Sequence, residues 1–213
     1  MEPINILYLH GANAHPDNFN YYKLLLPEHN SIAPTYNMDD NPFDVVDFVT
    51  RKVNREFGNK PIVVIGHSFG GLIGAWYSSV NSSRVTSLIT IASPWEGTPA
   101  ARIFGYFFRN AEVFKHTRPG AQVLHLLQDK VFKGPHHNIV CTGGGNPVAG
   151  MGSQANDGMI SVASQSATPP KFTTTKNHYI ETGHSGVLLN NTATDLLNKF
   201  IFGEGGGPEH TTK

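Results

Sequence analysis

The chain has 213 residues, and its 16 basic side chains balance 16 acidic ones. That balance leaves no electrostatic footprint for nucleic acid or for an acidic partner. No apolar run approaches the ~18 residues of a membrane-spanning helix, and one cysteine, Cys141, excludes an intrachain disulfide.

The length suits one domain with a substantial core, here residues 1–203. Apolar strand-like runs and helical patterns alternate along it. Ile4 to Leu9 reads as a first strand, and its start at Ile4 leaves no room for a secretory signal, so a cytoplasmic protein is expected. Asp17 opens a helix with Phe19, Tyr22 and Leu26 on one face. Residues 31–36 form a short second strand. Asn41 caps a clear helix, with Pro42 in its first position, Asp44 in the first turn and Gly58 at its end. Its apolar residues Phe43, Val46, Val49, Val53 and Phe57 recur at three- and four-residue steps. A third strand spans 61–66, a helix runs on to about Val80, and a fourth strand spans 85–92.

Between Ser93 and Pro135 the alternation fails. The segment carries Phe104, Tyr106, Phe107 and Phe108, then Val123, Leu124, Leu126 and Leu127. A structureless loop of that length is unusual in a compact domain. It reads as two short amphipathic helices, either an ordinary extra core pair or, preferred here, a cap over the carboxyl edge of the sheet (94–135). A fifth strand follows at 139–142, with Cys141 inside it as a small buried hydrophobe, and a weaker sixth at 179–182. A last helix carries Leu189, Ala193, Leu196 and Phe200 and stops at Gly203. Residues 204–213 are polar and glycine-rich, and read as a disordered tail. The alternation implies a mainly parallel sheet of about six strands covered by helices on both faces.

The most informative stretch is Gly66-His67-Ser68-Phe69-Gly70. It follows Ile62-Val63-Val64-Ile65 and leads straight into a helix, the strand–turn–helix setting in which G-x-S-x-G forms a nucleophile elbow. Glycines two residues either side of Ser68 remove collisions that the sharp turn would cause. A phosphate-binding loop would need a Walker lysine or a G-x-G-x-x-G run, and neither occurs.

A serine hydroxyl needs a base, and the base needs an acid. In this architecture both follow the serine, acid before histidine. Seven histidines follow Ser68. His184, in Gly183-His184-Ser185-Gly186, has small polar neighbours just past the sixth strand and is preferred; His178 is the runner-up. Asp157, in Asn156-Asp157-Gly158-Met159-Ile160, is the best-placed acid, against the plainer reading of a turn. An oxyanion would be held by the N–H of Phe69 and by that of Ala12, in the loop after the first strand. His10 reads as a brace of that loop and His67 as packing beneath the elbow. His136 and His137 are a tempting metal pair, but adjacent residues on an extended chain point to opposite faces, so no metal or cofactor is expected.

Together, Leu9-His10-Gly11, the elbow, Asn156-Asp157-Gly158 and the His184 loop resemble the α/β-hydrolase superfamily, in its order and over nearly the whole chain. The closest resemblance is to bacterial triacylglycerol lipases and related esterases. Ser93-Pro94-Trp95-Glu96-Gly97 is similar to their Ala/Ser-Pro-His-x-Gly segment, with tryptophan in place of histidine. The resemblance implies an α/β-hydrolase fold, in a small version lacking the superfamily's first strands. It also implies serine-dependent hydrolysis of a carboxylic ester, with Ser68, His184 and Asp157 catalytic. The substrate, a small ester and possibly a lipid, would meet His10, Asn13, Trp95, Phe104, Phe107, Phe108 and the loop 36–42. A thioesterase, amidase or acyltransferase would use the same residues. A non-catalytic binding protein on the same scaffold is the rival of another class.

Overall fold

The computed structural model describes residues 3–37, 40–99, 115, 116, 118–145 and 154–203. Six strands, β1 (Ile4–Leu9), β2 (His29–Ile32), β3 (Ile62–His67), β4 (Val85–Ile91), β5 (His136–Cys141) and β6 (Thr175–Ile180), form one sheet. Its order is β2-β1-β3-β4-β5-β6, and every neighbouring pair is parallel. Parallel pairing forces each connection across a face, so both faces are covered. All six residues of β3 are accordingly buried.

Side-chain alternation along the strands divides the core in two. Leu7, Leu9, Val64 and Leu88 face α2 (Pro42–Phe57) and α3 (Phe69–Val80), meeting Val46, Val49, Val53 and Leu72. Ile6, Tyr8, Val63, Ile65, Ile89 and Ile139 face the other way. There they pack on Phe19 of a 3-10 turn (Pro16–Phe19), Tyr22 of α1 (Asn20–Leu25) and Ala193 and Leu197 of the last helix. The cap of α2 is the expected one: Asn41 Oδ1 accepts from the Phe43 N–H at 3.0 Å, and Gly58 closes the helix at φ 57°.

Several boundaries differ from the sequence reading, each for a polar reason. β2 ends at Ile32 because Pro34 has no N–H to give a ladder and the chain then turns to the loop after β1. There the Tyr36 N–H reaches His10 Nε2 at 3.4 Å and its hydroxyl donates to the His10 carbonyl at 2.5 Å. β5 starts at His136, three residues early, because His136 is buried between Thr90 Oγ1 (2.9 Å) and Thr175 Oγ1 (2.7 Å). Its neighbour His137 lies on the opposite face, stacked 3.9 Å from the Phe200 ring. β6 lies at 175–180 rather than 179–182, and its polar composition suits an edge strand that is half exposed.

Between β4 and β5, α4 (Gln122–Gln128) buries Val123, Leu124 and Leu127 in the same cluster as α3. These three side chains therefore belong to the core. Phe104, Phe107 and Phe108 lie outside the described residues, as do residues 204–213. A short helix, α5 (Val162–Ser166), is capped by Ser161. The last helix, α6 (Asn191–Phe202), is capped by Asn190 Oδ1, which accepts from the Ala193 N–H at 3.0 Å. Leu189 sits in the 3-10 turn before it (Gly186–Leu189) and is 68% exposed, so it is not on the buried stripe. Among the described residues no helix is long and apolar enough to cross a membrane.

Candidate active site

Ser68 joins β3 to α3 at φ 55° and ψ −122°. A non-glycine residue there is strained by roughly 1–3 kcal/mol and persists only where its surroundings dictate it. They do so here. The Ser68 N–H donates to Ile91 O at 2.8 Å, and its carbonyl accepts from the Gly71 N–H at 3.0 Å. The flanking glycines are steric requirements. A Cβ on Gly66 would stand 2.4 Å from Gly70 O, and one on Gly70 would stand 2.1 Å from Leu9 O. The serine hydroxyl is thus held at the carboxyl end of β3 and the dipole-positive start of α3.

Two loops from the far side of the sheet reach the same place. His184 Nε2 lies 3.0 Å from Ser68 Oγ, and His184 Nδ1 lies 2.7 Å from Asp157 Oδ2. The Asp157 side chain is fully buried, and that of His184 is 13% exposed. Asp157 Oδ1 accepts the N–H groups of Met159 (2.9 Å) and Ile160 (2.7 Å). A carboxylate only accepts, so the 2.7 Å contact assigns the imidazole proton to Nδ1. Nε2 is left as an acceptor facing the serine hydroxyl. The turn reading of Asn156-Asp157-Gly158 also holds, because Asn156 Oδ1 accepts from the Gly158 N–H at 2.9 Å. The turn and the carboxylate placement are one feature.

The acid and histidine loops are zipped through their main chains. The His184 N–H donates to Asp157 O at 2.8 Å, and the Gly143 N–H to Thr182 O at 2.9 Å. Beneath them, buried Gln165 spans two elements. Its Oε1 accepts the Cys141 N–H at 2.8 Å, and its Nε2 donates to Cys141 O (3.0 Å) and Ile160 O (3.2 Å). Asn138 ties this to β6 and α5, donating to Gln165 O and Asn177 Oδ1, both at 2.8 Å. Sequence pattern gives no sign of either residue: Asn138 follows His136-His137, and Gln165 lies between Ser164 and Ser166.

The loop after β1 passes close to the serine: a Cβ on Gly11 would be 3.1 Å from Ser68 Cβ. Ala12 follows in that loop, half-buried, and Phe69 is the first residue of α3, where an N–H has no intrahelical acceptor. Asn13 is exposed at φ 51°. Two of the residues expected at the substrate, His10 and Trp95, are buried. His10 is buried, with Nδ1 donating to Gly11 O at 2.9 Å, Nε2 accepting from Tyr36, and its ring stacked 4.0 Å from that of Tyr36. Both ring nitrogens are engaged, so it braces the loop. Trp95 is 1% exposed, its indole N–H directed at Asn138 Oδ1 (3.4 Å), and belongs to the core. His178, the runner-up base, contacts His137 at 3.2 Å and Phe200 instead of Ser68.

His67 lies closer to the chemistry than its sequence position suggested. Its Nε2 is 2.8 Å from the His184 carbonyl, and the two rings are 4.9 Å apart. Burial, reinforced by His184, pushes its pKa down to about 3, so the ring is neutral. Among the described residues no group of three or more His, Cys, Asp or Glu could hold a metal.

A family model described as the alpha/beta hydrolase fold matches residues 6–128. The chain belongs to this family. No curated protein sequence gives a match. Among solved structures, the mature form of a Bacillus licheniformis lipase aligns at a TM-score of 0.70 with 14% identity, over 93% of this chain and 92% of that one. A lipase-esterase related protein from Clostridium acetobutylicum gives 0.65 with 13% identity, over 93% and 95%. A thioesterase domain from the curacin biosynthetic pathway gives 0.61 with 14%, over 94% and 91%. Identities this low establish the shared fold and nothing finer.

Proposed function

We propose that this alpha/beta hydrolase cleaves carboxylic esters through an acyl-enzyme intermediate. The unbroken relay from Asp157 to His184 to Ser68, at 2.7 and 3.0 Å, carries the proposal. Ser68 Oγ attacks the ester carbonyl as His184 Nε2 takes its proton, which gives a tetrahedral oxyanion. The N–H groups of Ala12 and Phe69 stabilise that oxyanion. Asp157 fixes the Nδ1–H tautomer and stabilises the imidazolium. Collapse passes the proton from Nε2 to the departing alcohol and leaves Ser68 acylated. A water activated by the same nitrogen then reverses the sequence and frees the acid. The three reach the relay from three loops at one sheet edge, the place where this architecture binds ligands.

An oxygen ester is the substrate class proposed; a thioester or amide would be served by the same steps. Phe104, Phe107 and Phe108 of the expected cap (94–135) are the proposed source of chain-length preference. Ser68→Ala should abolish hydrolysis of a p-nitrophenyl ester series from acetate to palmitate, and unchanged turnover would overturn the proposal. Ester, thioester and anilide of one acyl length, compared side by side, test the substrate class.

A further inference from the structure

His184 lies in an irregular loop, yet both its main-chain polar groups are tied down. Its N–H goes to Asp157 O at 2.8 Å, and its carbonyl accepts from His67 Nε2, also at 2.8 Å. His67 is the residue immediately before Ser68. A closed ring results: from the Ser68 backbone to the His67 imidazole, to the His184 carbonyl, along the His184 side chain, and back to Ser68 Oγ at 3.0 Å. The nucleophile and the anchor of its base therefore move as one unit.

The other nitrogen of His67 argues that packing is not its purpose. His67 is 4% exposed, and its Nδ1 is buried without a hydrogen-bond partner. A buried polar atom left unmatched is destabilising, and a residue serving only to fill the space under the elbow would be apolar. The atom with a partner is Nε2, whose N–H must donate, because a carbonyl only accepts. The donor also has to be uncharged, since a cation 4.9 Å from the His184 ring would oppose the imidazolium that forms there.

We propose that His67 is a positioning residue: its Nε2–H holds the His184 main chain against the elbow and so sets the reach of the base to Ser68. This rests on the reading of Ser68 and His184 as the reacting pair. Burial keeps the ring neutral down to about pH 3, so the His184 carbonyl is held by an uncharged donor.

The test compares His67→Gln with His67→Asn. A glutamine amide nitrogen reaches about as far as histidine Nε2, and that of asparagine only about as far as Nδ1. His67→Gln should keep kcat on a p-nitrophenyl ester within about threefold, whereas His67→Asn should lose about ten- to hundredfold in kcat with KM little changed. The far-downfield proton resonance of His184 Nδ1–H in its bond to Asp157 should persist in the glutamine variant and broaden or vanish in the asparagine one. Equal behaviour of the two variants, or greater damage from glutamine, overturns the proposal. If His67→Asn does not fold, the glutamine variant decides: retained activity and resonance support the proposal, and their loss overturns it. The two readings fail separately. A wild-type protein that turns over no ester, but whose resonance responds as described, removes the hydrolase reading and keeps the positioning role. A resonance unchanged in folded His67→Asn removes the positioning role whatever the activity.

Discussion

Replacing Asp157 by asparagine changes one atom and removes one charge, and the surrounding hydrogen bonds dictate the outcome. Oδ1 accepts the N–H groups of Met159 and Ile160, at 2.9 and 2.7 Å, while Oδ2 faces His184 Nδ1 at 2.7 Å. In Asp157→Asn the amide oxygen stays where two N–H donors require an acceptor. Turning the amide round would set N–H against N–H and leave two backbone donors unmatched, at about 1–3 kcal/mol each. The amide nitrogen therefore faces His184 and donates to Nδ1. The imidazole proton shifts to Nε2, which can no longer accept from Ser68. Forcing that tautomer on a Ser-His-Asp relay lowers kcat by about 10⁴-fold, about 5.4 kcal/mol at ~1.36 kcal/mol per decade. The assay is kcat and KM on a p-nitrophenyl ester at neutral pH, with thermal unfolding to establish that the variant is folded. A folded variant within about tenfold of wild-type kcat would refute the reasoning.

In Gly70→Ala the new methyl would stand 2.1 Å from Leu9 O and 2.6 Å from His10 O. Backbone must move, and the expected loss by urea unfolding is roughly 3 kcal/mol or more. In Gly58→Ala there is open space, but φ 57° and ψ −128° are close to the strained Ser68 backbone, so the loss should be about 1–3 kcal/mol, from backbone strain alone; a reversed order of the two would contradict the steric account. Stability should also fall in acid. Burial pushes the pKa of His67 and His136 down to about 3 and that of His137 to about 4. The unfolded chain takes up these protons near the ordinary value of about 6.5, while the folded chain does not. Stability from these groups is full above that value and is lost as pH falls through the window toward about 3. Tm should drop steadily between about pH 7 and pH 4, and a flat Tm would show that the buried imidazoles do not titrate as described.

The elbow was legible in the sequence because its chemistry is local: an apolar strand, two glycines and a helix within a few residues fix Ser68. Asp157 and His184 were legible through chain order and through the small polar residues around them. Strand limits were read well where side chains are apolar, as in β3, and poorly where a strand carries a polar network. β5 begins with His136 and Asn138, whose partners Thr90, Thr175 and Gln165 come from other elements, so the local pattern looks like loop. β6 is an edge strand with polar residues on its open side, and its apolar end alone gave a signal. His10 and Trp95 look like pocket residues in sequence. Their burial depends on Tyr36 and Asn138, both distant along the chain. The same holds for His67, whose partner carbonyl lies 117 residues away.

The most direct measurement is peptide mass spectrometry after exposure to a fluorophosphonate probe. The account predicts a single adduct on Ser68, formed in the wild-type protein and lost in a folded His184→Ala variant, because the alcohol is nucleophilic only while the imidazole can take its proton. No adduct, an adduct on another residue, or equal labelling with and without the His184 imidazole would contradict it.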